Sequence, residues 1–203
     1  MGRRFLRERR ADPYYRAAQQ RGLRSRAAFK LAFLADRFPL FRFGDRVLDL
    51  GAAPGGWCVV AAERVGPTGQ VVAVDPRPVE PLEGVTWVRG RVGDANLPTR
   101  LGPDRFDVIV SDMSPHISGA YATDHARSVE LVRAALALAS HALRAGGNFA
   151  AKVFAGDLLD ELEGDMRPMF ERVARTKPPA SRERSSELYL VGIGYRPSPS
   201  PPP

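Results

Sequence analysis

Short apolar segments recur along the chain, and most of them are separated by enough residues to form a helix. Six predict β-strands because they are five to nine residues long and rich in Val, Ile and aromatic residues: RVLDL (46–50), QVVAVD (70–75), VTWVRG (85–90), FDVIVSD (106–112), NFAAKVF (148–154) and ELYLVGIGY (187–195). Most are apolar at successive positions rather than at alternate ones, which is typical of strands buried on both faces. The pattern therefore predicts a sheet covered by helices on both sides.

Segments of helical periodicity lie between these strands. The clearest are SRAAFKLAFLADRF (25–38), with Ser25 as its N-cap, WCVVAAERV (57–65), HARSVELVRAALALASHAL (125–143), which AGG should stop, and LLDELEGDMRPMF (158–170). Alternating strands and helices predict an α/β, Rossmann-like fold with a mostly parallel central sheet. We expect one domain over residues 13–196, a basic flexible arm over residues 1–12 and a disordered Pro/Ser tail over residues 197–203.

Positive charge is concentrated at the start of the chain. Residues 1–30 contain ten basic residues and two acidic ones, a net charge of +8, whereas the whole chain carries +7, so the remainder carries −1. One interpretation is a solvated tail in an Arg-rich protein. The other is a contact surface for a polyanion, and RNA or another nucleic acid is the simplest such partner.

Several classes of protein are disfavoured. No apolar run approaches the roughly 20 residues of a membrane span. The single cysteine, Cys58, rules out a disulfide within the chain and favours a reducing compartment. His116, His125 and His141 lack the spacing of metal ligands. We therefore expect a cytoplasmic monomer with no metal centre and no membrane contact.

A loop of small residues, GAAPGG (51–56), follows the first predicted strand and precedes a helix. Small residues let a ligand approach the backbone, and a helix N-terminus favours negative groups. The spacing of Gly51, Gly55 and Gly56 does not match the dinucleotide motif G-x-G-x-x-G. Asp75 ends the second strand, where a carboxylate can accept hydrogen bonds from ribose hydroxyls. The alternative is a tight turn with a capping aspartate.

Lys152 lies within an apolar predicted strand, in a chain that has 27 arginines and only three lysines. A buried amine can act as a general base if its pKa falls toward neutrality, whereas an arginine stays protonated. A lysine is therefore required here if the side chain removes a proton. The alternative is a charge at a strand end that reaches solvent.

Five segments, GLRSRAAFKL, DLGAAPGGW, VIVSDMSP, GGNFAAKVFAG and KPPASRERSSELYLV, occur in the order found in the FtsJ/RrmJ family of ribosomal RNA 2′-O-ribose methyltransferases, and the chain resembles that family over about residues 14–195. The resemblance implies the donor S-adenosylmethionine and, as substrate, a uridine of large-subunit ribosomal RNA. It also implies the catalytic set Lys30, Asp112, Lys152 and Glu187, and donor contacts at Gly55, Trp57, Asp75 and Asp112.

One position departs from the family pattern. Family members typically have Gly-Asp after the third strand, with the aspartate near the adenine, and this chain has Gly90-Arg91. Asp94 is then the substitute candidate for the adenine contact. Two rivals stay open: a 2′-O-methyltransferase for tRNA or capped RNA, and an RNA-binding protein with a decayed donor site, which the departure at Arg91 favours. A nicotinamide-dependent oxidoreductase is disfavoured by the loop spacing.

Overall fold

A computed structural model describes residues 24–181 and 185–197. Its sheet has seven strands in the order β3-β2-β1-β4-β5-β7-β6. Strands β1 to β5 pair in parallel, and β7 runs antiparallel to both β5 and β6. The strands are β1 (Arg46–Leu50), β2 (Gln70–Asp75), β3 (Val85–Arg89), β4 (Phe106–Ser111), β5 (Leu143–Phe154), β6 (Phe170–Thr176) and β7 (Glu187–Tyr195). The predicted Rossmann-like fold with a mostly parallel sheet is confirmed.

Helices cover both faces of this sheet. They are α1 (Ala27–Arg37), α2 (Gly56–Val65), α3 (Leu97–Leu101), α4 (Tyr121–Ala142) and α5 (Leu159–Met166). Leu48 and Leu50 of β1 join one apolar core with residues of α3, α4 and α5. Val47, on the other face of the same strand, joins a second core with residues of α1 and α2. Because successive side chains of a strand point to opposite faces, two cores require apolar residues at successive positions.

The segment predicted as one helix over 158–170 is divided in the structure. Helix α5 ends at Met166, and Phe170 begins strand β6, which the sequence pattern did not predict. The segment FERVART carries charges because β6 is an edge strand. Phe170 is buried and lies over Gly192, where an added Cβ would come within 2.6 Å of its ring. Pairing with β7 therefore makes this segment a strand although its own preference for that conformation is weak.

Two helix starts also differ from prediction. Ser25 is not the N-cap of α1, because Arg26 occupies that position without a side-chain cap. Helix α4 begins at Tyr121, four residues before the predicted His125. Asp124, in the first turn of α4, accepts hydrogen bonds from Ser118 N and Ser118 Oγ at 2.8 and 2.7 Å. These local bonds tie the first turn of α4 to the preceding loop, and the helix begins ahead of its apolar repeat.

The carboxyl ends of the parallel strands bring the polar residues of interest to one edge of the sheet. Asp75 ends β2, Asp112 follows β4, and Lys152 lies near the end of β5. No helix in the described ranges is long and apolar enough to cross a membrane. Within those ranges, no cluster of three His, Cys, Asp or Glu residues could hold a metal ion. The predicted arm over 1–12 and nearly all of the predicted tail lie outside the described residues.

Candidate active site

A cavity of about 550 Å³ opens at this edge of the sheet. Gly51 forms part of its floor in a left-handed conformation, with φ at 78°. A Cβ atom on Gly51 would lie 2.7 Å from Met113 Cγ, so the close approach of the two loops requires glycine. The wall is formed by Leu50, Gly51, Ala53, Val74, Asp75, Pro76, Arg77, Gly90, Arg91, Val92, Asp112, Met113, Ser114 and Leu131.

Asp75 is held rigidly at the cavity wall. Its side chain is buried, and its carboxylate accepts hydrogen bonds from Ala53 N at 3.1 Å and Arg77 N at 2.8 Å. The Arg77 guanidinium lies 3.4 Å from the same carboxylate. Asp75 therefore fixes the GAAPGG loop against the end of β2, in addition to facing the cavity.

The other predicted donor contacts lie in different surroundings. Gly55 lies beneath Arg24, since an added Cβ would come within 2.7 Å of Arg24 Nη1. Trp57 is buried and donates its indole N–H to Ala27 O at 2.9 Å. Asp94 is exposed and accepts a hydrogen bond from Arg91 N at 2.7 Å. Asp75 and Asp112 thus line the cavity, and donor contacts at all five positions stay predictions.

Lys152 and Asp112 form an ion pair beside the cavity. Lys152 Nζ lies 3.2 Å from Asp112 Oδ1 and donates a hydrogen bond to Asp112 O at 2.7 Å. The lysine comes from β5 and the aspartate follows β4, and these two strands are parallel neighbours. Lys152 is only 7% exposed despite its charge. Two oxygens of one residue therefore fix the amine at the cavity rim.

Lys30 and Glu187 form a second ion pair, between α1 and the start of β7. Lys30 Nζ donates to Glu187 Oε2 at 2.6 Å, and Lys30 is 6% exposed. Burial by itself would raise the pKa of Glu187, but the positive charges of Lys30, Lys152 and Arg26 together hold this pKa below its ordinary value. Because Lys152 contributes, the two pairs belong to one electrostatic cluster.

Tyr189 joins the two pairs, and sequence reasoning missed it. Its hydroxyl donates to Asp112 Oδ1 at 2.8 Å, and Lys30 Nζ lies 5.9 Å from the centre of its ring. Burial raises the pKa of Tyr189, and the nearby carboxylates of Asp112 and Glu187 raise it further, so the phenol stays a hydrogen-bond donor. The available signal was its spacing, because residues two apart on a strand share a face and Tyr189 follows Glu187 by two.

A third carboxylate, Asp49, lies buried beneath this cluster. Cys58 Sγ donates to Asp49 Oδ2 at 3.2 Å, whereas no donor within the described ranges reaches Asp49 Oδ1. Burial raises the pKa of Asp49 to about 7, and the charges of Asp112 and Asp75 add to this rise. Burial also raises the pKa of the Cys58 thiol, together with the charge of Asp49. The carboxyl of Asp49 and the thiol of Cys58 therefore both favour their protonated forms.

Comparison with known proteins agrees with this geometry. The model of the FtsJ-like methyltransferase family matches residues 23–195. A protein of Archaeoglobus fulgidus named ribosomal RNA large subunit methyltransferase E is 46% identical over 193 residues, which cover 92% of this chain and 97% of the relative.

Solved structures show the same fold. A ribosomal RNA methyltransferase described as putative, from Plasmodium falciparum, superposes with a TM-score of 0.78 at 28% identity, covering 85% of this chain and 98% of that one. Fibrillarin from Aeropyrum pernix, crystallised with natively bound S-adenosyl-L-methionine, gives a TM-score of 0.60 at 17% identity over 82% of this chain and 76% of its own. The family match covers the cavity and both lysine–carboxylate pairs, and the chain belongs to the FtsJ-like methyltransferase family.

Proposed function

We propose that the protein transfers a methyl group from S-adenosylmethionine to the 2′-hydroxyl of a ribose in large-subunit ribosomal RNA. The observation that carries this proposal is the convergence of Lys30, Asp112, Lys152 and Glu187 around Tyr189, at the edge of a cavity that Asp112 itself lines. The names of the curated relatives support the choice of substrate. A uridine as the target, a monomeric state and a cytoplasmic location stay predictions.

The cavity has the properties that an adenosyl donor requires. Its volume, about 550 Å³, lies within the range of small-ligand sites. Val74, Val92 and Leu131 supply apolar wall, and Asp75 supplies a carboxylate for ribose hydroxyls. Gly51 is required at this wall because a side chain there would collide with Met113. When bound, the donor supplies an activated methyl group on a positively charged sulfur, and Asp112 is the cavity carboxylate that would face this charge.

Lys152 is the group that we assign to the proton of the ribose hydroxyl. A 2′-hydroxyl is a weak nucleophile, and its oxygen must release a proton as it reacts. Lys152 Nζ takes that proton in its neutral amine form, after the ammonium of the ion pair has released a proton to solvent, and the carbonyl and carboxylate oxygens of Asp112 keep it oriented. Burial of Lys152 excludes water that would otherwise compete for the amine.

Lys30 and Glu187 support this amine from the other side. Neither residue is part of the cavity wall. Glu187 is charged at neutral pH because its pKa is held low, in part by Lys152. A fixed anion and a fixed cation on the acceptor side would position the ribose and phosphate of the substrate.

Incubation of the protein with tritiated donor and RNA tests the proposal. Two substrates should be compared: unmodified large-subunit ribosomal RNA transcribed in vitro, and intact large subunits from cells that lack the enzyme. We expect radioactive methyl groups in at least one of them, at a single ribose 2′-position. Methylation of tRNA or capped RNA instead would replace the substrate, and donor-independent RNA binding without transfer would contradict the enzymatic proposal.

A further inference from the structure

Two large apolar side chains are exposed beside the active site, in the segment between β4 and α4. Ile117 is 55% exposed and Tyr121 is 61% exposed. A single exposed apolar residue is ordinary on a protein surface. Here both residues belong to one short loop–helix junction that leaves the same strand end as Asp112.

The ring of Tyr121 is held in place by its hydroxyl. Tyr121 Oη donates to Ala155 O at 2.6 Å, and Ala155 N donates to Ser186 O at 2.7 Å. Ala155 follows the last residue of β5, Phe154, which pairs in register with Glu187. The exposed ring is thus tied to the strand ends that carry Lys152 and Glu187.

The junction itself is braced by the first turn of α4. The carboxylate of Asp124 accepts hydrogen bonds from Ser118 N, Ser118 Oγ and Gly119 N at 2.8, 2.7 and 3.1 Å. His125 Nε2 accepts from Leu158 N at 3.1 Å, so its Nδ1 carries the proton and donates to Phe154 O at 2.9 Å. We call this junction, residues 117–121, the Tyr121 platform. Its hydrogen bonds within the protein organise it before any partner binds.

The charge beside the platform suits a polyanion. Arg127 is exposed on α4, and its guanidinium donates to His116 O at 3.4 Å, next to Ile117 in the chain. An exposed aromatic face with a neighbouring guanidinium is the combination by which proteins bind unpaired nucleic-acid bases and their phosphates.

We propose that the Tyr121 ring, with Ile117 beside it in the same junction, stacks an unpaired base of the substrate RNA close to the reacting ribose. The inference rests on the proposed function. Ala155 lies three residues beyond Lys152 in the chain, a rise of about 10 Å for extended backbone. Stacked nucleotides repeat about every 3.4 Å along one strand. On this backbone spacing, the stacked base lies about three nucleotides from the methylated one.

Three substitutions at Tyr121 test the stacking role, with unmodified large-subunit ribosomal RNA transcript as the probe. Tyr121→Ala should raise the KM for RNA by roughly 5- to 150-fold, the range for loss of one stacked base. Tyr121→Leu keeps apolar area without an aromatic face and should show a similar loss. Tyr121→Phe keeps the ring but loses the bond to Ala155 O that holds it, so its KM should lie between those of the wild type and Tyr121→Ala. Donor affinity should be unchanged in all three, because Tyr121 is not part of the cavity wall.

Phe43 provides a matched control. It is 71% exposed but precedes β1, at the amino-terminal edge of the sheet, away from the active site. Phe43→Ala should leave the KM for RNA unchanged. Salt dependence adds a second readout, since Tyr121→Ala removes no charge and should lower RNA affinity without changing its slope against salt concentration.

The outcomes separate the two proposals. If the wild type transfers methyl groups to RNA and Tyr121→Ala has the same KM, the stacking proposal is overturned while the proposed function stands. Tyr121→Phe being as weak as Tyr121→Ala would also overturn it, because the hydroxyl rather than the ring would then matter. Self-association of the wild-type protein through this junction would also overturn the stacking proposal, because the ring of Tyr121 would then be covered by a second copy of the chain. Absence of transfer by the wild type contradicts the proposed function itself.

Discussion

The two lysine–carboxylate pairs of the active site are nearly equal in burial and differ in position. Lys152 and Lys30 have side-chain exposures of 6% and 7%, and their partners Asp112 and Glu187 have 19% and 23%. Asp112 lines the cavity, whereas Lys152 and both members of the Lys30–Glu187 pair lie outside its wall. Both pairs are thus buried and ion-paired, and they differ because only the first has a carboxylate on the cavity wall. We infer that the first pair handles the reacting groups and the second positions the substrate.

The sharpest test of this division is substitution of Lys152. Lys152→Ala and Lys152→Arg should both lower kcat by about 10²–10⁴-fold, because neither side chain can accept the hydroxyl proton. Donor affinity, measured by calorimetry, should change little. Lys177→Arg is the matched control, since Lys177 is exposed and donates to Ser185 O at 2.9 Å. A Lys152→Arg enzyme with the wild-type rate and pH profile would reduce Lys152 to an electrostatic role.

Asp49 extends the comparison to a carboxylate without a lysine. Its pKa is raised from 3.8 to about 7, so the folded state holds a proton that the unfolded state releases between these values. The contribution of Asp49 to the free energy of unfolding should therefore fall as pH rises from about 4 to 7. The fall is at most roughly 4 kcal/mol, at about 1.4 kcal/mol per pH unit. Asp49→Asn should remove this fall. Urea denaturation across the pH range measures it, and an unchanged pH profile in the variant would contradict the prediction.

Glu187 should show the opposite sign. Its pKa is lowered from 4.5, so its contribution to stability is present above that value and disappears as pH falls through the folded-state pKa. Glu187→Gln leaves Lys30 without its anion and should cost about 2 kcal/mol at pH 7, less than for a fully buried pair because Glu187 is partly exposed. The difference from wild type should shrink at acidic pH. A constant difference would mean that packing, rather than charge, explains the loss.

Tyr189 tests whether the two pairs act together. Tyr189→Phe keeps the ring, which packs at 5.7 Å on Trp57, but removes the hydrogen bond to Asp112. A bond to a charged group contributes about 1.5 kcal/mol to stability, so the variant should lose about that much. Because Asp112 would no longer be held in place, kcat should also fall, by roughly tenfold. Tyr195→Phe, a buried tyrosine on the same strand, should have the wild-type rate. Equal rates for both variants would show that the phenol does not position Asp112.

The smallest effect is expected at Arg91, on the donor side of the comparison. Arg91→Asp places the typical family residue on the cavity wall and should tighten donor binding by a few fold, about 1 kcal/mol for one hydrogen bond. Asp94→Ala should leave donor affinity unchanged if Asp94 serves its own loop through Arg91 N. A loss in the Asp94 variant would instead assign the adenine contact to Asp94.

Prediction from sequence succeeded where a local pattern carried the information. Strands β1, β2 and β7 have the predicted bounds, because continuous apolar runs mark strands buried on both faces. Prediction failed at β6, whose charged segment is ordered by pairing with β7. It also failed at the start of α4, where the first turn is polar and Asp124 accepts hydrogen bonds from the preceding loop.

The family motifs by themselves group Lys30, Asp112, Lys152 and Glu187 into one site, and the strand ends of a parallel sheet meet at one edge. Motifs carry no distances, however. The role of Tyr189 depends on its hydroxyl, 2.8 Å from Asp112 Oδ1, and on its ring, whose centre lies 5.9 Å from Lys30 Nζ. The raised pKa of Asp49 likewise depends on complete burial beside two other carboxylates. Residue types and their order thus specified the fold and the chemistry, whereas pairing, burial and pKa arose from contacts between residues far apart in the chain.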